Sequence, residues 1–443
     1  MRALLAVVGV AAVGFLAVVL FLLREPADDG TAARRAGSSA AAATTPAAGK
    51  SVLLDVQGAA IEEFSGDCTG SGYPYLCRQV VEQLRAADPG LPTRAGLQIH
   101  TTIDLRLQRA AQDAIDAHVH RDDAPVAVQA MIVPGEGAIR AMAAGRDIPD
   151  QKGFQPGTAA MPYTLAAALA AGLRYDDGFA ISDSYTAAGY ASFRNCAGEA
   201  VGDPTHSVFN RDKEGDRFVT LRAGTRQVVN TFFMRLTEKA GLCETVRMAE
   251  RLGLRRADGA PLMEVEAFTL GIDEADPVSV ANSYATLAAR GRFCEPTVIT
   301  EVRDGSGVLR SFPPRCREVL DPAVADAVTG ILTDVLSSGE SKGIGRPAAG
   351  MPGTADGSVS AWYAGYTPDL AAAVGLGDPR GVHRHPLRDI TIGGRRFPAV
   401  DGEAVPGRIW RQAMTEAARD TPETAFTPPD LARFGGCRDA CPN

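Results

Sequence analysis

Apolar positions along the chain fall into three patterns. Residues 3–23 (ALLAVVGVAAVGFLAVVLFLL) are an uninterrupted apolar or small run, about the ~20 residues needed to cross a bilayer core. Helical spacing appears at 76–87 and again at 104–119, where Leu107, Ala111, Ala114 and Ile115 share one face and Asp104 stands at the N-cap position. Strand-like runs occupy 126–133 and 138–144, joined by Pro134-Gly135-Glu136-Gly137, and return at 358–366 and 370–376 across Thr367-Pro368-Asp369. Helical stretches dominate from 158 to about 289, and a last helix is predicted over 408–418. Two strands early, helices between and antiparallel strands late imply an α+β fold: one central antiparallel sheet built from both ends of the domain and flanked by helices.

The same pattern divides the chain into a membrane anchor at 1–24, a flexible Ala/Ser/Thr/Pro linker at 25–50, a short accessory segment at 51–93, the main domain at 94–420 and a C-terminal tail at 421–443. Arg2 precedes the apolar run, and Arg24, Glu25, Asp28 and Asp29 follow it. This favours an inward N-terminus only weakly. A cleaved signal peptide is the alternative, although the run exceeds the usual ~7–15 residues and no small-x-small site follows directly. The expectation is a single-pass protein of the cell membrane with its main domain extracytoplasmic.

Charge and cysteine content refine this picture. With 45 basic and 53 acidic residues, a net charge of -8 and no long basic run, nucleic acid is not expected as a partner. Cys68, Cys77, Cys196, Cys243, Cys294, Cys316, Cys437 and Cys441 are even in number and all follow the apolar run, which fits disulfides in an oxidising compartment. Eight cysteines allow 105 pairings; pairing of chain neighbours is the expectation. Zinc needs paired short spacings, and only the 437–441 gap approaches one, so neither a metal nor another cofactor is expected. His383 and His385 read as an exposed loop, His118 and His120 as a helix end, and Trp362 and Tyr363 as core. Gly70-Ser71-Gly72 and Gly305-Ser306-Gly307 read as turns, and Cys294 with Cys316 as a staple across a hairpin.

Four phrases in order, HTTIDLRLQRAAQDAI at 100–115, VQAMIVPGEGAIRAMAAG at 128–145, AWYAGYTPDLAAAVGLG at 361–377 and PGRIWRQAM ending at Met414, resemble the transpeptidase domain of class A penicillin-binding proteins. The resemblance covers roughly 93–420 and implies a mainly helical subdomain beside the sheet. It also implies a role in peptidoglycan assembly among cell-wall synthesis proteins. Class A members carry a glycosyltransferase domain between span and transpeptidase; the interval 25–93 is too short for one. The family's centre joins a Ser-x-x-Lys at a helix start, a Ser-x-Asn on a facing loop and a Lys-Thr-Gly on an edge strand. The first lysine lies one helical turn from the serine and takes its proton, while backbone N–H groups stabilise the oxyanion.

Here all three motifs depart from the pattern. At the first, Thr158 stands for the nucleophile and Met161 for its base; at the second, Val228 replaces the serine and Asn230 is kept. At the third, Met351-Pro352-Gly353-Thr354 keeps Gly353 and loses the lysine. A thioether accepts no proton at neutral pH, and general-base assistance alone contributes ~10²–10⁴ in rate. The chain's only lysines are Lys50, Lys152, Lys213, Lys239 and Lys342, and the residues three before them are Ala47, Pro149, Asn210, Leu236 and Gly339. No register therefore yields a Ser-x-x-Lys. Thr158 and Thr354 keep the backbone N–H groups that the resemblance assigns to the oxyanion hole.

The sequence thus reads as a catalytically inactive pseudo-transpeptidase, a scaffold or regulator in cell-wall assembly that β-lactams do not acylate. Two rivals stand beside it: an acyltransferase or hydrolase using Thr158 as nucleophile, and a binding module for peptidoglycan stem peptides. Exposure of Met161 and Met351 discriminates them, since a sealed site favours the scaffold and an open cleft a binder.

Overall fold

A seven-residue strand of which every residue is buried, Val126–Ile132, sets the architecture, because a strand apolar on both faces must be covered on both. Val128, Ala130 and Ile132 enter one core, Ala127 and Met131 another on the opposite face. The computed structural model describes residues 50–148, 153–187, 192–211, 215–339 and 343–441, all within one compact unit, Ala43–Asn443. In chain order its elements are β1 (Ser51–Leu54), β2 (Ala60–Phe64), α1 (Pro74–Ala87), β3 (Gln98–Thr101), α2 (Leu105–His118), β4 (Val126–Ile132), β5 (Ile139–Ala144), α3 (Met161–Ala170), β6 (Gly178–Ile181), β7 (Ser184–Thr186), β8 (Ser207–Phe209), β9 (Arg217–Thr220), α4 (Leu221–Arg226), α5 (Asn230–Ala240), α6 (Leu242–Leu252), α7 (Pro277–Ala288), β10 (Arg292–Cys294), β11 (Ile299–Asp304), β12 (Gly307–Ser311), β13 (Cys316–Glu318), α8 (Pro322–Ser338), β14 (Ala349–Thr354), β15 (Ser360–Tyr366), β16 (Ala371–Gly377), β17 (Arg388–Ile392), β18 (Arg395–Ala399), α9 (Pro406–Ala417) and α10 (Leu431–Phe434).

The central sheet has the order β14-β15-β16-β4-β5, so early and late strands meet as expected, through the antiparallel pairing of β16 with β4. Helices α2 and α9 pack on one face, α7 and α8 on the other. Helix α2 begins where the sequence places it, with the Asp104 carboxylate accepting from the N–H groups of Arg106 and Leu107. Trp362 and Tyr363 are fully buried.

Two features were not legible in the periodicity. A second five-stranded sheet, β12-β11-β3-β1-β2, takes two strands from the segment before residue 94, with β1 parallel to β3. Helix α1 then joins the main core through Leu76, Val80 and Leu84. The stretch read as helical from 158 to about 289 is also interrupted by the four short strands β6 to β9. Disulfides join Cys68–Cys77, Cys196–Cys243, Cys294–Cys316 and Cys437–Cys441, each cysteine to its chain neighbour. Among the described residues no helix is long and apolar enough to cross a membrane; the run at 3–23 and the linker up to residue 49 lie outside those residues.

Helix α4 ends in a paired cap, Val228 N–H to Thr225 C=O (3.1 Å) and Val229 N–H to Gly224 C=O (3.0 Å), the arrangement that normally places glycine at the first residue beyond the cap. Here that residue is Val228, at φ 53, where a β-branched side chain crowds its own backbone. Val228→Gly is expected to raise stability by about 1 kcal/mol, read as an increase in the denaturant midpoint.

The tail is held by a different device. Asp177, with no solvent exposure, accepts through Oδ1 from the N–H groups of Arg438, Asp439 and Ala440 and through Oδ2 from that of Arg174, while Phe434 stacks against Tyr175. Burial pushes the Asp177 pKa up, but the N–H groups of Arg438, Arg174, Asp439 and Ala440 outweigh it and hold it below the usual value. Because the folded pKa lies below the unfolded one, this stabilisation is complete above the unfolded value of about 4 and is lost as pH falls through the folded value. Asp177→Ala is expected to cost about 3 kcal/mol, to flatten the acid side of the stability–pH curve below about pH 4, and to expose the tail to proteolysis.

Candidate functional site

Three glycines allow three backbones to meet at one point. Gly157 has φ +58, and a Cβ there would lie 2.3 Å from the Thr354 carbonyl carbon. A Cβ on Gly353 would lie 2.3 Å from the Pro156 oxygen, and one on Gly271 2.2 Å from the Gly157 oxygen. The Gly157 N–H donates to the Gly271 carbonyl at 3.2 Å. The turn before α3, the end of the 266–270 turn and edge strand β14 are thereby locked together. Of these glycines the sequence singled out Gly353 alone; Pro156-Gly157 carries a turn signal, whereas nothing local marks Gly271.

This packing brings Thr158 onto β14. Its residues 157–160 form a single 3-10 turn leading into α3, which starts at Met161. Thr158 is 8% exposed. Its hydroxyl donates to the Pro352 carbonyl at 2.9 Å and accepts from the Thr354 N–H at 3.2 Å. Both partners are backbone groups, and neither takes up a proton at neutral pH. The Thr354 N–H, which the sequence left open as an oxyanion donor, is directed at the threonine hydroxyl. Along β14 the side chains alternate, with Met351 and Gly353 buried and Pro352 and Thr354 half-buried. Pro352 has no N–H, which suits an edge position and leaves that edge with one donor fewer.

Met161 and Met351 both have no solvent exposure and belong to the same core. Around them the polar groups satisfy one another: Tyr284 OH donates to the Ala159 carbonyl (2.7 Å), Tyr163 OH meets Ser283 Oγ (2.7 Å), and Thr164 meets Thr269 (2.7 Å). Burial pushes the Tyr163 and Tyr284 phenols well above their ordinary pKa, so they act as neutral hydrogen-bonding groups. Nothing in this set supplies a base.

The second motif lies on a separate element. Asn230 opens α5, immediately after Val228 and the cap of α4. Its Nδ2 donates to the Phe209 carbonyl at 3.0 Å, while its Oδ1 is buried with no partner. Arg211, two residues beyond β8, pairs with Asp401 at 2.5 Å. The next residue, Gly402, donates its N–H to Thr354 Oγ1 at 3.2 Å, and a Cβ on it would lie 2.5 Å from the Gly353 nitrogen. Residues 401–402 therefore lie directly on β14. Their role escaped the sequence reading, because neither the loop nor Arg211 belongs to any of the three motifs.

His383 and His385 are exposed, as expected, and His118 meets Gln412 at 3.0 Å near the end of α2. Asp177, Cys437 and Cys441 cluster, but both thiols are committed to a disulfide and the carboxylate to backbone N–H groups, a set unsuited to a metal.

No protein-family model matches the chain. Among known proteins it is 28% identical over 375 residues to penicillin-binding protein 1A of Mycolicibacterium smegmatis, an alignment covering 78% of this chain and 44% of the relative. It is 26% identical over 378 residues to penicillin-binding protein 2D of Bacillus subtilis, covering 81% and 50%. The chain thus spans about half the length of these relatives. Among solved structures, penicillin-binding protein PonA1 of Mycobacterium tuberculosis superposes with a TM-score of 0.67 at 26% identity, over 83% of this chain and 96% of that one. The same protein in complex with penicillin V gives 0.64 at 25%, over 83% and 98%. The homologues of this chain are therefore penicillin-binding proteins, and its fold is that of their transpeptidase domains.

Proposed function

We propose that the chain is a pseudo-transpeptidase: a penicillin-binding-protein fold anchored to the membrane through residues 3–23, with its main domain outside the cytoplasm, acting as a scaffold or regulator in peptidoglycan assembly rather than as an acyl-transfer enzyme. One observation carries this reading. The Thr158 hydroxyl is closed between the Pro352 carbonyl and the Thr354 N–H, and the two methionines in the lysine positions are sealed from solvent. An acylating centre needs a nucleophile beside a base and two free donors aimed at the developing oxyanion. Here Thr158, Met161, Val228, Asn230, Met351, Gly353 and Thr354 occupy the family's motif positions without supplying that set. The sealed methionines also favour the scaffold over an open stem-peptide cleft.

Incubation with a fluorescent penicillin followed by intact-mass measurement is expected to show no covalent adduct. A stoichiometric mass increase abolished by Thr158→Ala overturns the reading and makes Thr158 a nucleophile.

Returning the missing groups tests whether only side chains were lost. In the quadruple variant Thr158→Ser, Met161→Lys, Val228→Ser, Met351→Lys, two ammonium groups enter positions with no solvent exposure. An unpaired buried charge costs about 3–5 kcal/mol in effective terms, and catalytic geometry must hold to within ~0.5 Å. The variant is expected to melt well below the parent and to remain nearly inert to penicillin. Unchanged melting together with rapid labelling would mean that the backbone still holds a competent site.

A further inference from the structure

The C-terminal tail ends in a small ring. Cys437 and Cys441 close the shortest of the four disulfide loops, at a sequence separation of 4 against 9, 22 and 47. A loop this short removes the least entropy from the unfolded chain, so this bond does less for the whole fold than its counterparts. Its effect is local. The three residues inside the ring, Arg438, Asp439 and Ala440, donate their N–H groups to Asp177 Oδ1 at 2.7, 2.8 and 3.2 Å. These are three of the four backbone N–H groups on a carboxylate with no solvent exposure; the fourth, from Arg174, reaches Oδ2 at 2.7 Å.

The segment around Asp177 lies between the tail and α4. On one side the carbonyls of Phe434, Gly436 and Ala440 accept from the N–H groups of Tyr175, Asp176 and Gly178, at 2.8, 3.1 and 2.8 Å. On the other, the carbonyls of Tyr175 and Asp177 accept from Arg222 and Leu221, the first two residues of α4, at 3.2 and 2.8 Å. Once the N–H groups of the ring leave Asp177, a buried charge loses most of its hydrogen bonds, and the segment must move or take in water. That movement reaches α4 directly. Upstream the tail keeps its own anchors, Phe434 at 1% exposure beside Tyr175 and Phe426 against Tyr366, so the event is confined to the residues after Phe434.

Access singles out the same bond. Cys441 is exposed and Cys437 half-buried, whereas two of the other bridges each bury one partner, Cys77 and Cys294, and Cys196 and Cys243 are both half-buried. We propose that Cys437–Cys441 is a redox-operated clasp: reduction by a dithiol frees residues 435–441 from Asp177 and loosens segment 174–178 and the start of α4. One thiolate of the dithiol attacks Cys441 Sγ and the Cys437–Cys441 bond breaks; the second thiolate then displaces Cys441 and closes the reductant's own disulfide. The two protons that the dithiol gives up end on the two cysteine sulfurs. The clasp does not rest on the pseudo-transpeptidase reading, because it opens in the same way whether or not penicillin labels Thr158.

The test is stepwise reduction of the full chain, held in nanodiscs, with dithiothreitol, each step quenched with iodoacetamide, mapped by peptide mass and followed by amide hydrogen exchange. Cys437 and Cys441 are expected to be alkylated before the other six cysteines. Exchange at residues 438–440 should then rise about thirtyfold, the loop-closure factor for a ring this short, with a smaller rise at Leu221 and Arg222 and none in β4. The double variant Cys437→Ser/Cys441→Ser should show these rates without reductant, respond to dithiothreitol with no further change there, and melt close to the parent. Earlier alkylation of another pair, or unchanged exchange at 438–440 or at 221–222 once the clasp is open, would each overturn the proposal. So would a double variant that no longer folds, since the bond would then be a staple of the whole molecule.

Discussion

Everything at the centre of this molecule depends on the approach of the 156–158 turn to the outer edge of β14. The approach is a backbone contact, permitted because Gly157 and Gly353 have no Cβ atoms to place at 2.3 Å from the facing main chain. It sets the Thr158 hydroxyl between a carbonyl and an N–H of the same strand. Each hydrogen bond contributes only about 1 kcal/mol net, so the glycines rather than the hydroxyl hold the two elements together. The hydroxyl satisfies one carbonyl and one N–H of the strand's outer edge.

Once the turn and the strand are in contact, the chemistry of their neighbours is constrained. A lysine in place of Met161 or Met351 would carry a charge into a position with no solvent exposure, whereas methionine fills a comparable volume and needs no hydrogen bond. The same logic covers the loop at 401–402, which lays a glycine on Gly353 and an N–H on Thr354 Oγ1. The Arg211–Asp401 pair is largely exposed on its arginine side, so it contributes little energy, and the contact of residue 402 with β14 rests on backbone packing.

Four strands of the central sheet were legible in the sequence because they carry continuous apolar runs and sit beside strong turn signals, as with Pro134-Gly135 and Pro368-Asp369, whereas β14, with two glycines and a proline in six residues, shows no such run. Helix α2 was legible down to its cap, since Asp104 and the Leu107/Ala111/Ile115 face are local features. The disulfide pairing of neighbours held because cysteines close in sequence fell on paired strands or adjacent turns, as with Cys294 and Cys316. The strands β6 to β9 were not legible: each has three or four residues, and half of those face solvent, so no period can establish itself. The second sheet was hidden for another reason, since its order depends on β1 pairing in parallel with β3 some 45 residues away. In the candidate site the sequence proposes the motif positions residue by residue. The partners that close it, Gly271, Gly402 and Asp401, are distant in sequence and obey no motif.

Val228 and Asn230 bear on how such a site is built. Val228 takes a left-handed backbone that glycine would adopt without crowding, and Asn230 keeps a buried Oδ1 with no partner. Local rules of this kind are broken chiefly where a structure serves something other than stability. Neither feature helps the fold, and neither is explained by the sealed contact between Thr158 and β14. They lie instead at the junction of α4 and α5, where the backbone is fixed by the cap of α4 and by the Asn230 Nδ2 bond to the Phe209 carbonyl of β8. Backbone geometry is set by contacts that span many residues and changes only with them, while a hydroxyl or an ammonium disappears with one substitution.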